Sequence, residues 1–274
     1  MNKIESVVYN IVKNNYWLKN IVRNIYQGCY DLLPNYDSTF KGEVIVRENC
    51  FFGFHDLNPF DVTGKMHLCN RLHIPLRMPT RDEHLELGYW YGDRFEQWKK
   101  VGETNAWNYH KGCRLQWVNE RECIYNMAEK EMLKSTIVNI DTLEQHIIDW
   151  PVDTVSPDGQ FATTFSYERL QEMMPGYGYL YGDADSYMSE PMSENTGLFL
   201  IDFQKNERQL LLSLKQIAAF ESTDDMKGTF HFVTHTEFSY DGRYIAFLHR
   251  WYKGTFRRTI ARSEERFSRN AETD

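Results

Sequence analysis

The run from His235 through Ser239-Tyr240-Asp241-Gly242 to Phe247 sets an apolar strand on each side of an Asp-Gly turn, and nothing else in the chain limits its fold as much. Asp-Gly admits the left-handed backbone that sends one strand back along the next. A second copy runs from Val152 through Ser156-Pro157-Asp158-Gly159 to Thr163. Degenerate copies occupy Asn58 to Met66 and Arg114 to Ile124. One small hairpin sheet cannot bury both faces alone, so repeated copies must stack on each other, and the expected fold is an all-β propeller. The 17 tyrosines and 17 phenylalanines suit such strands.

Strands fall into blades along the chain. The first holds strands near 54–60, 65–70, 86–92 and 95–101. The second holds Cys113–Val118, Cys123–Met127, Ser135–Ile140 and Gln145–Asp149, and the third Val152–Ser156, Gln160–Ser166, Gly197–Phe203 and Gln209–Leu214. A fourth begins with Phe232–Ser239 and Arg243–His249 and breaks off. About three and a half blades are present, against six or seven in an intact ring. Residues 43–256 therefore read as a partial β-propeller, a truncated or frame-shifted copy of a longer one. Residues 257–274 carry charges of both signs without period-2 alternation, which predicts an irregular tail. Residues 1–34 space Ile4, Val7, Val8, Ile11, Leu18, Ile21 and Ile25 at helical intervals, with Lys3, Lys13, Lys19 and Arg23 between them. That is an N-terminal amphipathic helix, either packed on protein or lying on an anionic bilayer with Trp17 at headgroup depth.

A net charge of −8 and a pI near 5.6 argue against broad nucleic-acid binding, which needs a basic surface. The five cysteines lack CxxC spacing, so a disulfide or zinc framework is not expected; free buried thiols in a reducing compartment are. With no signal peptide and no apolar run long enough to span a bilayer, the expected location is cytoplasmic, with peripheral membrane contact through 1–34.

In a propeller the start of each innermost strand and the end of the next lie on one face. That rule gathers His55, Asp56 and Arg71 with His110, Lys111 and Arg114, then Asp153, then His235, His249, Arg250 and Trp251. The insertion 170–195 alternates glycine with tyrosine over Gly176-Tyr177-Gly178-Tyr179, which suits a self-packed loop or an aromatic lid that stacks on sugar rings. The candidate ligand-binding set is His55, Arg71, His110, Arg114, Asp153, Tyr177, His235, His249, Arg250 and Trp251. No catalytic residue is assigned. No cofactor is firmly implied beyond a divalent metal ion, for which His235 and His249, with His231 and Asp153 or Glu237, are the candidates. His231 and His235 would stand about 13 Å apart on an extended strand, too far for one ion unless the chain bends.

The Ser-x-Asp-Gly turns, the run Trp107-Asn108-Tyr109-His110-Lys111-Gly112-Cys113-Arg114-Leu115-Gln116-Trp117 and Met174-Pro175-Gly176-Tyr177-Gly178-Tyr179 resemble bacterial TolB-like propellers and, more distantly, oligogalacturonate lyases. The resemblance covers roughly 50–251. It implies a six- or seven-bladed ring and, on the lyase side, a channel metal held by histidines and a glutamine. Only His235 and His249 occupy matching positions, with Arg71, Arg114 and Arg250 as cationic groups for an acidic sugar. Three functions follow as expectations: binding of an acidic saccharide within surface-polysaccharide metabolism, a non-catalytic protein-interaction scaffold, and a metal-dependent oligosaccharide lyase.

Overall fold

The computed structural model describes residues 21, 24–29, 32, 41–75, 79–183 and 187–252, and the backbone of 266–268. Two compact units divide at Val46/Arg47. In the first, residues 24–29 are helical, and Ile25 and Tyr26 are exposed. The rest of the expected 1–34 helix lies outside the described residues. None of the described helices is long and apolar enough to cross a membrane.

The second unit is a series of antiparallel sheets, each built from strands consecutive in the chain. The first sheet joins β1 (Cys50–Phe51), β2 (His67–Arg71), β3 (Leu85–Tyr91) and β4 (Gln97–Thr104) in that order. The second joins β5 (Gln116–Trp117), β6 (Glu122–Glu129), β7 (Met132–Asn139) and β8 (Gln145–Ile148). The third joins β9 (Thr154–Val155), β10 (Phe161–Thr164), β11 (Gly197–Asp202) and β12 (Glu207–Ser213). In the fourth, β13 (Phe230–Phe238) pairs with β14 (Ile245–Tyr252), and β14 with β15 (Arg266–Ser268).

Period-2 alternation assigns each face of an inner sheet to a different neighbour. In β6, Cys123 and Tyr125 join Leu68, Leu87 and Val101 of the first sheet, while Ile124 joins Ala162 and Ile201 of the third. Leu198 of the third sheet and Phe165 just after β10 cluster in turn with Phe232, Val233 and Phe247 of the fourth. Successive four-stranded meanders packed face to face are the blades of a β-propeller.

The Ser-x-Asp-Gly turn owes its recurrence to a closed hydrogen-bond set. The Ser156 hydroxyl donates to Asp158 Oδ1 at 2.5 Å and accepts from Phe161 N at 2.9 Å, and Gly159 N donates to Ser156 O at 2.9 Å. Ser239, Asp241, Tyr244 and Gly242 repeat the set at 2.7, 2.9 and 2.9 Å. Gly159 and Gly242 take φ values of +71° and +72°, where a side chain is disfavoured.

Three elements depart from the sequence reading. The first strand lies at 50–51 and not at 54–60, because Gly53 (φ +121°) turns the chain out of the sheet and Pro59 cannot donate to a ladder. The insertion opens with a helix, α1 (Tyr167–Met173), where a loop was expected; Ser166 caps it by accepting from Arg169 N at 3.0 Å. Residues 266–268 of the expected irregular tail pair with β14, a contact that needs only main-chain groups and so leaves no alternation to read. The other tail residues lie outside the described ones. A second helix, α2 (Leu214–Ala219), follows β12 through a capping box of Ser213 and Gln216.

Candidate functional site

A buried ionic centre joins the second, third and fourth sheets around Asp153, which has no solvent exposure. Its Oδ1 accepts from Lys111 Nζ at 2.6 Å and from the Tyr167 hydroxyl at 2.9 Å, with Arg114 Nε at 3.2 Å. Its Oδ2 accepts from Thr236 N at 2.9 Å and Thr236 Oγ1 at 2.7 Å. Its main-chain oxygen accepts from Arg114 Nε at 2.6 Å and Gln116 Nε2 at 3.1 Å. Burial alone would raise the Asp153 pKa; the charges of Arg114 and Lys111 and the bonds from Lys111 and Thr236 outweigh it and hold the carboxyl well below its usual range.

A β-bulge in the fourth sheet makes this geometry possible. The ladder between β13 and β14 shifts register between Thr234 and Glu237, and His235 sits there at φ +52°. The bulge turns Thr236 N–H out of the ladder and onto Asp153. It also aims His235 away from its strand, with Nδ1 at 2.9 Å from Thr234 Oγ1. Backbone strain of this kind collects where a side chain must be placed for a purpose.

Over the ionic centre lies an aromatic cluster. The rings of His110 and Tyr177 stack with centroids 4.2 Å apart and planes 5° from parallel. Tyr177 stands 6.1 Å from His235, and Phe54 closes on His235 edge-on at 4.8 Å. His55 and His110 are exposed, while Phe54, Tyr177 and His235 are half-buried. Buried Asn108 fixes Tyr177: its Nδ2 donates to Tyr177 O at 3.2 Å and Gly178 O at 2.9 Å, and its Oδ1 accepts from Lys111 N at 2.7 Å.

The topology thus brings His55, His110, Arg114, Asp153, Tyr177 and His235 together at one mouth. Arg250 pairs across the ladder with Phe232, and its Nη1 lies 3.3 Å from Met174 Sδ. Three candidates go elsewhere. Arg71 pairs with Glu86 at 3.0 Å and lies over Trp98 at 5.1 Å, on the face of β2 opposite Asn70, whose amide meets Phe52 O. His249 and Trp251 share the β13–β14 face with His231. There His231 Nδ1 and His249 Nε2 bond at 2.8 Å, and Trp251 Nε1 donates to Asp225 at 3.1 Å. The metal expectation does not fit this arrangement. His249 Nε2 is spent on His231, away from His235, and among the described residues no three His, Cys, Asp or Glu side chains converge on a point.

Phe54, Gln116 and Thr236 also build the site, although they are outside the set the sequence singles out. The signal available for the last two was a polar residue at an inward strand position. Of the two readings of the insertion, self-packed loop and aromatic lid, each describes part of it. Tyr179 and Tyr181 are buried, and Tyr179 stacks on Tyr167 at 4.8 Å, so of these three tyrosines only Tyr177 reaches the mouth. An open groove of about 610 Å³ between the third and fourth sheets shares no residue with the mouth. Its Ser156, Asp158, Asp241 and Arg243 are spent on their own turns.

Burial first, then the charges of Lys111, Arg250 and Arg114 against the opposing pull of Asp153, bring the His235 imidazole down to about 3. An unfolded histidine binds a proton near pH 6.5, so between about 6.5 and 3 the unfolded chain binds more protons and stability falls as the pH drops. The slope from this one group approaches about 1.4 kcal/mol per pH unit. In His235→Gln, urea unfolding across that window is expected to show a flatter acid limb; an unchanged limb would assign no such role to His235.

No protein-family model matches the chain, and no curated protein matches it. Among solved structures, an oligogalacturonate lyase in complex with manganese is similar at 13% identity and a TM-score of 0.36, over 66% of this chain and 41% of that one. TolB from Acinetobacter baumannii is similar at 12% and 0.33, over 73% and 52%. The AtxE2 isopeptidase is similar at 9% and 0.36, over 79% and 38%. The matches span about half or less of those chains. The class of this protein, a β-propeller, rests on its own stacked sheets, and its function has to be argued from the mouth.

Proposed function

We propose that the mouth binds an acidic saccharide. The observation that carries this reading is the coplanar His110–Tyr177 pair, partly open to solvent, beside His235 and above the buried ionic centre of Lys111, Arg114 and Asp153. Aromatic faces suit the apolar faces of sugar rings. Lys111 and Arg114 are matched there by Asp153 and Asp56, so an anionic group that took the place of the partly exposed Asp56 would meet the Arg114 guanidinium, although the chain as a whole is acidic. With Nδ1 engaged by Thr234, neutral His235 has Nε2 to offer a sugar hydroxyl. The reading is one of binding, with a place in surface-polysaccharide metabolism as its setting; no catalytic step is assigned.

Calorimetric titration of the full chain with oligogalacturonides and with neutral galacto-oligosaccharides tests this. Acidic oligomers are expected to bind more tightly than neutral ones. Tyr177→Ala, which removes a central aromatic anchor, should weaken them by about 30-fold. Equal affinity for both classes, or binding unaffected by Tyr177→Ala, would overturn the proposal. A scaffold function would instead leave every oligosaccharide unbound.

A further inference from the structure

Arg114 is fully buried, yet one end of its guanidinium is idle. Nε is spent on Asp153, and Nη2 has no hydrogen-bond partner. Nη1 lies 3.0 Å from Asp56 Oδ1 and 2.9 Å from Asp56 Oδ2. Both oxygens of Asp56 thus straddle a single nitrogen, where a guanidinium edge and a carboxylate would otherwise form two parallel bonds. The constraint on Asp56 is its own chain. It lies in the segment between β1 and β2, three residues after Gly53, which packs so closely that an added Cβ would stand 2.9 Å from the Lys111 carbonyl carbon.

We infer that Asp56 is a resident carboxylate, and that the carboxylate of a ligand displaces it from Arg114. A carboxylate free of that tether can turn to face Nη1 and Nη2 together, which Asp56 does not do. Of the two acidic partners of Arg114, Asp153 is sealed, whereas the Asp56 side chain keeps 11% exposure. Its neighbours Phe54 and His55 line the mouth, so moving Asp56 opens the ionic centre to the same space that holds the aromatic stack. The ligand class is a monocarboxylate, such as the acid group of a uronic sugar. This inference rests on the acidic-ligand reading above and adds to it a built-in competitor that sets the affinity.

The test uses acetate, alone, on the isotopically labelled full chain. The Arg114 Nε–Hε resonance is followed at constant ionic strength in the parent and in Asp56→Asn. Acetate is expected to shift that resonance in both, with about tenfold higher affinity in Asp56→Asn. No response of Arg114 in Asp56→Asn, or equal affinities in the two proteins, overturns the inference. Should Asp56→Asn not fold, Asp56→Ser takes its place, with the same result expected and the same results overturning the inference. Galacturonate in parallel separates the two claims. Acetate gaining tenfold while no saccharide binds would retain the exchange and sink the saccharide reading. Saccharide binding indifferent to Asp56→Asn would sink the exchange alone.

Discussion

Asp153→Asn is expected to cost about 3–5 kcal/mol of folding stability, the usual result of removing one partner from a buried ionic group. Lys111 and Arg114 are both without solvent exposure around this carboxylate, and burial already lowers the Lys111 pKa against the opposing pull of Asp153. An asparagine keeps the shape and leaves two cations facing a neutral amide. Urea denaturation at neutral pH measures the loss; a change below about 1 kcal/mol would show that water or rearrangement already compensates the charges. The pair Lys111→Met with Asp153→Asn should recover part of the loss, since groups in one network couple. The depressed carboxyl adds an acid limb. Stability from Asp153 is present above the unfolded carboxyl value and is lost as the pH falls toward the folded one.

Gly159→Ala is expected to destabilise by about 2–4 kcal/mol and Gly242→Ala by about 1 kcal/mol, although both glycines occupy the same motif at nearly the same φ. An alanine at 242 would meet only Pro157 at 3.7 Å. At 159 its Cβ would stand 2.4 Å from the Val118 carbonyl oxygen, a backbone atom of the second blade that cannot rotate away. Gly242→Ala therefore carries the left-handed penalty alone, and Gly159→Ala adds a clash between blades. Thermal unfolding of the two variants should separate by several degrees. Equal shifts would mean that the blades give way at Val118 without cost.

The Asp-Gly turns were legible because their chemistry is local. Ser156, Asp158 and Gly159 satisfy one another within a few residues, and Ser239, Asp241 and Gly242 do the same. The strands that follow were legible because alternation is a property of neighbours in the chain. The convergence of His55, His110 and His235 followed from topology once blades were assumed. Helix α1 was not legible, because seven residues from Tyr167 carry too short an apolar pattern, and the tyrosines around it suggested exposure where Tyr167 and Tyr179 are core.

The meander, its turns and the series of residues carried to one end of the blades follow from spacing along the chain alone. Spacing could not decide that His249 faces His231 while His235 faces Tyr177. That outcome depends on a one-residue register shift at Thr234, which reverses the direction of the next side chain. Nor could it rank Asp153 above the other acidic residues. The role of Asp153 comes from partners as far away in the chain as Lys111 and Thr236, and only the stacking of three sheets brings those groups within hydrogen-bonding distance and away from water.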